Sequence, residues 1–374
     1  MRSEPVLQFS PYLGQDEYEA IRDCFDLNWL TEGPKSQEFL DVLRELMSVR
    51  YACFAPNGTL ALYLALRALG IGPGDEVVVP DFTFFGSASA VEMTGARPVF
   101  CDIDRDSLQV KASNFETCIT SRTRALMPVH IYGMTCDMAP IIELAQRHSL
   151  KVIEDAAQAL GVSYRGQHAG TFGDIATFSF FADKTVTTGE GGLVVTNDEE
   201  LQQRLLRLRN QGRINRGSFI HETIGYNFRM TDIQAAIGLV QLRKLDDICK
   251  RKSSILAMYR ERLDGIPQIR FIDVTLGSTY IPFRIAIFAE RAHELMKYME
   301  KRKIETRTFF YPLHKQPAFQ QLSQKTDNQT ETKSDDFVAS NYAYDNGLCL
   351  PTYPGLPKED VSYVCDQIIA FYKG

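Results

Sequence analysis

The sequence predicts an α/β fold: a mostly parallel mixed sheet flanked by helices, followed by a smaller α+β unit. Three observations carry that expectation. Six short runs rich in Val, Ile and Phe recur between residues 76 and 196, and most are separated by segments long enough to hold a helix. Next, a charge-rich helical stretch over 232–263 changes the texture of the chain. Finally, 374 residues are two-domain length, at roughly 150 residues per domain. The division expected is 1–240 for the large unit, N-terminal segment included, and 241–374 for the small one.

Taken in order, the first clear element is a helix over 60–69, apolar at three- and four-residue spacing, stopped by Gly70 and by Pro73-Gly74. Strands are expected at 76–79, 98–102, 125–130, 151–154, 176–180 and 193–196, with a helix over 141–148. Within 232–263, Leu239, Leu242 and Leu245 recur every third residue, and this long or kinked helical stretch reads as the lever between the units. The small unit is expected to hold strands at 270–272 and 281–287 and helices at 291–301 and 358–372. The segment from Ser323 to Asp335 is polar and reads as a mobile surface loop. No 20–50-residue repeat is present.

Composition excludes several classes of function. With 41 basic and 47 acidic residues the net charge is −6, so nothing draws the whole chain to nucleic acid or an anionic membrane. No apolar run approaches the roughly 20 residues that span a bilayer, and the first eleven residues lack a secretory pattern. A cytoplasmic protein is expected. Eight cysteines are scattered without a CxxC, which fits reduced, buried thiols rather than a disulfide or zinc framework.

The residues able to do chemistry cluster in a few motifs. In Ser179-Phe180-Phe181-Ala182-Asp183-Lys184, a strand ends at a serine and a lysine follows five residues on. A lysine at a strand end in a concave site can lose its proton by desolvation and attack a carbonyl; alone, it reads rather as a surface residue of a Thr/Gly loop, and its company in the sequence is what favours the chemistry. Glu154-Asp155-Ala156-Ala157-Gln158 puts Asp155 just past a buried strand, where ligands of parallel sheets bind and where the carboxylate can pair with a protonated ring nitrogen. Asp155 is also a reasonable N-cap for a short helix over 156–160. Asn57-Gly58-Thr59 precedes the first helix, where backbone N–H groups and the helix dipole can hold a phosphate, though taken alone it is an ordinary capping turn; Asp81-Phe82-Thr83-Phe84-Phe85 offers rings to a flat cofactor, though such aromatic runs more often belong to the core. His130 lies in no HExxH or paired spacing, so a core histidine is expected and no metal site.

These motifs, with Gly189-Glu190-Gly191-Gly192 and Gly225-Tyr226-Asn227-Phe228-Arg229-Met230, stand in an order that resembles the pyridoxal-phosphate-dependent sugar aminotransferases of the DegT/DnrJ/StrS family. The resemblance runs from about Phe9 to the C-terminus. It implies aminotransferase fold type I, a homodimer with shared active sites, and pyridoxal 5′-phosphate as cofactor. It further implies that Lys184 forms the Schiff base and shuttles a proton, and that Asp155 binds the pyridine nitrogen. Gln158 is then placed near the cofactor's 3-hydroxyl, with Phe84 stacked on the ring. Gly58, Thr59 and Ser179 would hold the phosphate, and Asn227 would reach it from the partner subunit.

The substrate class follows from the same resemblance. Trp29-Leu30-Thr31-Glu32-Gly33-Pro34-Lys35 is similar to the form in members that aminate C4 of a nucleotide-linked 4-keto-6-deoxy sugar, with L-glutamate as donor. Arg307-Thr308-Phe309-Phe310-Tyr311-Pro312-Leu313-His314 and Phe178-Ser179-Phe180-Phe181 resemble the GDP-perosamine synthase branch, which favours GDP-4-keto-6-deoxymannose over dTDP- or UDP-linked sugars. That branch commonly carries Gly-Asn before the lysine and Glu at position 158, whereas this chain has Ala182-Asp183 and Gln158. Arg229 and Arg307 are candidates for the donor's carboxylates, and His314 for the substrate. Three competitors remain: a 3-deoxygenating branch, which has histidine in place of the lysine; cysteine desulfurases, which need a mobile cysteine and a His-Lys pair; and a catalytically silent binding protein that keeps the fold.

Overall fold

A computed structural model describes residues 4–215, 217, 219–323 and 336–373. Two helices, α1 (Gln15–Asp26) and α2 (Pro34–Met47), lead into a seven-stranded sheet. Its strands are β1 (Tyr51–Ala55), β2 (Glu76–Pro80), β3 (Arg97–Cys101), β4 (Thr123–Leu126), β5 (Lys151–Asp155), β8 (Ile175–Ser179) and β9 (Gly192–Thr196), while β6 (Ser163–Tyr164) and β7 (Gln167–His168) form a separate hairpin. The order is β1-β9-β8-β5-β4-β2-β3. Only β9 runs against the rest, pairing antiparallel with β1 and β8. The connecting helices are α3 (Gly58–Ala68), α4 (Phe85–Met93), α5 (Ala112–Glu116), α6 (Met138–Arg147) and α7 (Glu199–Arg209). Both faces are covered, as continuous apolar strands require: one core packs α3 on the sheet through Leu62, Leu64 and Leu66, and another packs Phe39 and Leu43 of α2 against Phe54 and Phe178.

The stretch 232–263 is two helices, α8 (Asp232–Arg243) and α9 (Leu245–Leu263). They break at Lys244, whose ammonium is held by Glu17 at 2.9 Å and Asp16 at 3.5 Å. A second antiparallel sheet, in the order β10-β11-β13-β12, follows: β10 (Ile269–Phe271), β11 (Ile285–Ala289), β12 (Arg307–Thr308) and β13 (Gly347–Leu350). Around it lie α10 (Ala292–Glu300), α11 (Pro317–Ser323), α12 (Val338–Asn346) and α13 (Lys358–Lys373). Its core runs from Ile255 and Tyr259 of α9 to Val361 and Ile368 of α13 and takes in Val6.

Three expectations change for physical reasons. The strand over 281–287 starts only at Ile285, because the N–H groups of Ile281 and Phe283 are taken by the carbonyls of Gly133 and Tyr132. Residues 156–160 form a tight turn instead of a helix; Ala159 N–H closes onto Ala156 O, and Gly161 leaves the turn at φ +82. The strand expected over 125–130 ends at Leu126, with a single bridge from Val129 to Asp155 beyond it. Of the polar segment from Ser323 to Asp335, residues 324–335 lie outside the described residues.

Candidate active site

The carboxyl ends of the parallel strands make one edge of the sheet, and the chain immediately after β1, β2, β5 and β8 carries Gly58, Thr59, Phe84, Asp155, Gln158, Ser179 and Lys184. Asp155 ends β5 and is 5 % exposed. Its Oδ2 accepts from Ser87 Oγ at 2.7 Å and its Oδ1 from Ala157 N–H at 3.1 Å. A carboxylate offers about four acceptor positions, so capacity for a further donor remains. Gln158 turns its Oε1 to the Tyr132 N–H at 2.7 Å, which leaves its NH₂ group to donate.

Lys184 stands in the turn after β8, its side chain 15 % exposed. The amine lies 3.8 Å from Asp183 Oδ1 and 4.5 Å from the centroid of the Phe283 ring. Burial holds the ammonium below the usual lysine range, opposed by Asp183 and Asp155 and assisted by Arg284. A lysine depressed in this way is more readily available as a free amine, the form that acts as nucleophile and base.

An anion cradle lies beside it. Asn57 caps α3 by accepting from Leu60 N–H at 2.9 Å, while the N–H groups of Gly58 and Thr59 make no hydrogen bond among the described residues. A Cβ on Gly58 would stand 2.9 Å from Ser179 Cβ, so glycine is what lets the helix start meet the strand end. A Cβ on Gly86 would meet Thr59 Oγ1 at 2.8 Å and the Phe84 ring at 3.2 Å. Free N–H groups, two hydroxyls and a helix N-terminus therefore share one concave patch. The first turn of α4 ties the parts together: Phe84 caps it and is 60 % exposed, Gly86 abuts Thr59, and Ser87 bonds Asp155.

Other candidates lie further out. His314 is drawn to the end of β2, donating its N–H to Asp81 Oδ1 at 2.7 Å and pairing through Nδ1 with Asp81 Oδ2 at 2.8 Å; its Nε2 is buried without a hydrogen bond. Arg229 is engaged at 2.8 Å with Asn210 Oδ1, and exposed Asn227 bridges to Asn210. These two do not meet Lys184 within one chain. Arg307 sits on β12 with its guanidinium 5.2 Å above the Phe9 ring, and Phe9 in turn lines the cavity of Lys184. His130 is fully buried: Nδ1 accepts from Cys136 N–H and Nε2 donates to Glu154 at 2.9 Å.

Sequence reasoning missed Ser87, Asp183, Arg284 and Lys252. Arg284 left a trace, a single cation inside the apolar run Phe283-Arg284-Ile285-Ala286-Ile287. Ser87 and Lys252 left none, because an alternating polar position on a helix has the same pattern whether it faces solvent or a site.

The model of the DegT/DnrJ/EryC1/StrS aminotransferase family matches residues 11–369. GDP-perosamine synthase of Escherichia coli O157:H7 is 42 % identical over 376 residues, covering 100 % of this chain and 99 % of that protein. GDP-perosamine synthase of Vibrio cholerae is 38 % identical, covering 97 % and 98 %. Among solved structures, Streptomyces venezuelae DesV in complex with a ketimine intermediate superposes with a TM-score of 0.91 at 34 % identity, over the whole of both chains. The PLP form of the sugar aminotransferase Spr1654 from Streptococcus pneumoniae gives 0.92 at 26 % identity, over 99 % of each chain. The mixed, mostly parallel sheet is thus aminotransferase fold type I, and with a family match that runs through both units, the chain belongs to the DegT/DnrJ/EryC1/StrS aminotransferases.

Proposed function

We propose that this chain is a pyridoxal 5′-phosphate-dependent transaminase that moves the amino group of L-glutamate to C4 of a nucleotide-linked 4-keto-6-deoxy sugar. GDP-4-keto-6-deoxymannose is the acceptor and GDP-perosamine the product, a choice supported by relatives that carry that name over their full length. The observation that carries the chemistry is one amine and one carboxylate, Lys184 and Asp155, at the ends of the paired strands β8 and β5 beside a prebuilt anion cradle.

The residues fit the cofactor, since unbonded N–H groups at Gly58 and Thr59 next to Ser179 match a phosphate and the remaining capacity of Asp155 matches a pyridinium N–H. When bound, pyridoxal phosphate supplies an electron sink for negative charge at the amine-bearing carbon. Lys184 would hold the cofactor and, as a free amine, would carry the proton across the reacting face. Asp155, oriented by Ser87 and the Ala157 N–H, would keep the ring nitrogen protonated. Phe84 would offer its ring to the cofactor, and the Gln158 amide would donate to the ring hydroxyl. Glutamate leaves as 2-oxoglutarate before the keto sugar enters, so the kinetics are ping-pong.

For the donor's carboxylate, Arg307 is the better of the two arginines, because it lies over Phe9, which lines the Lys184 cavity, whereas Arg229 is turned to Asn210. His314, with Nε2 unspent, serves the sugar side. The segment from Asn210 to Phe228 exposes Ile214, Phe219, Ile220 and Ile224, an apolar surface that fits a homodimer in which Asn227 completes the partner's phosphate site. Among the described residues no helix is long and apolar enough to cross a membrane, and with a nucleotide sugar as substrate we place the enzyme in the cytoplasm.

The test is an absorbance spectrum of the protein with pyridoxal phosphate, before and after glutamate. A visible band that is lost on glutamate and returns with GDP-4-keto-6-deoxymannose, but not with its dTDP or UDP counterparts, is the expected result. Return with another nucleotide moves the substrate while keeping the reaction. No band, and none lost in Lys184→Ala, makes the chain a silent member of the family.

A further inference from the structure

Asp183 departs from the Gly-Asn that commonly precedes the lysine in the GDP-perosamine synthase branch, and the structure gives the departure a partner. One carboxylate oxygen, Oδ2, is clamped by Arg284 Nη2, and Arg284, 4 % exposed, is itself held by Gln8 Oε1. The other, Oδ1, is buried, makes no hydrogen bond among the described residues and lies 3.8 Å from Lys184 Nζ. Around the Phe283 ring gather three cations, Lys184 at 4.5 Å, Arg284 at 4.8 Å and Lys252 at 5.8 Å from its centroid.

On the reading that Lys184 is the Schiff-base lysine, we propose that Asp183, clamped by Arg284, is the positioning residue for the Lys184 amine. An ammonium beside an unshared carboxylate would be locked in place and lose its use as a nucleophile. Arg284 takes up the charge of Asp183, so Oδ1 orients the amine without trapping its proton. The groups facing Lys184 are Asp183 on its own turn, Asp155 on β5 and Arg284 ahead of β11; from α9, Lys252 shares the cavity, with Cys249 beside it. Burial sets the direction of the Lys184 shift downward, the two carboxylates oppose it and Arg284 adds to it. Burial and Arg284 also push Lys252 down to about 8, so near neutral pH it still carries most of its positive charge and loses it across the upper half of the range tested.

The signs make the test specific. The full-length chain is freed of cofactor and mixed with pyridoxal phosphate across pH 6–10, and the rate at which the visible band appears is followed. Borohydride reduction and peptide mapping then locate the modified lysine. Asp183→Asn removes an anion, so the midpoint of the rate profile moves down; Arg284→Gln removes a cation and leaves Asp183 to Lys184 alone, so it moves up. Each shift is expected to be about one pH unit, and the double variant returns to within a few tenths of the parent. Equal midpoints in all four proteins overturn the proposal, since a merely structural pair lowers stability without moving a midpoint. If a single variant does not fold, Arg284→Lys, which keeps the cation, is expected at the parent midpoint and Lys252→Met above it; the reverse pattern overturns the proposal as well. Label found on a lysine other than Lys184 in the parent defeats the underlying reading and is separable from both results.

Discussion

Glu154 and Asp155 are adjacent carboxylates on one strand, both buried, and they have opposite fates. Glu154 is fully enclosed and accepts from the N–H groups of Gly170, Phe172 and Gly173 at 2.7–2.8 Å and from His130 at 2.9 Å. The carboxylate of Asp155, on the other face by the two-residue period of a strand, accepts from only two donors among the described residues. A saturated carboxylate holds the fold together; one with spare acceptor capacity at a strand end is open to a ligand. Burial alone does not separate the two, and counting donors does.

Breaking each side of this pair gives the two largest effects. Asp155→Asn is expected to lower transamination by about a thousandfold, roughly 4 kcal/mol, with the unfolding midpoint in denaturant near that of the parent and pyridoxal phosphate still bound. Loss of folding with turnover intact in the folded fraction would invert the assignment. Glu154→Gln does the opposite. Its amide turns an NH₂ toward donors that need an acceptor, costing about 3 kcal/mol of stability by urea unfolding, while the spectrum of the bound cofactor keeps its position.

The same contrast explains what the sequence disclosed. The alternation of apolar runs reflects the sheet's need to bury both faces, so the parallel architecture and the strand-end placement of Asp155, Ser179 and Lys184 were legible before any coordinates. Element ends were less so, because partners remote in sequence set them: Gly133 and Tyr132 delay β11. The distinction between Glu154 and Asp155 was half visible, since the carboxylate beyond the strand could be picked out, but not the N–H groups waiting for Glu154. Ser87 and Lys252 were illegible for the same reason, and Arg284 showed only as a lone cation in an apolar run. The roles of Ser87 and Arg284 depend on the neighbours they meet across 68 and 101 residues of chain.

Ser87 sharpens the comparison by touching Asp155, the member proposed to serve the cofactor, and not Glu154. Ser87→Ala removes one of the two donors to Asp155, and a hydrogen bond to a charged group is worth about 1.5 kcal/mol, so turnover should fall roughly tenfold. Thr83, 3.0 Å from Ser87 Oγ, keeps the hydroxyl's other contact, and Ser87→Thr should restore part of the rate. A rate unchanged in Ser87→Ala would mean that Ala157 N–H alone orients the carboxylate.

The smallest expected effect comes from a third carboxylate that is structural like Glu154 but paired with a full cation. Burial raises Glu17, yet hydrogen bonds from Lys244 and Gln241 and from the Gly14 N–H outweigh it, and its carboxyl lies below the ordinary 4.5. A carboxylate whose folded value is depressed stabilises the fold above its unfolded value and loses that contribution as pH falls through the folded one. Stability should therefore decline as pH drops below about 4.5, and Glu17→Gln should flatten that part of the curve without altering the cofactor's visible band. The same substitution leaves Lys244, whose ammonium Glu17 holds above the usual range, with the Asp16 carboxylate alone. Unfolding curves at pH 4 and pH 7 would decide the point: a parent and variant that differ equally at both pH values would mean that Glu17 acts through packing between α1 and α8 instead of through its charge.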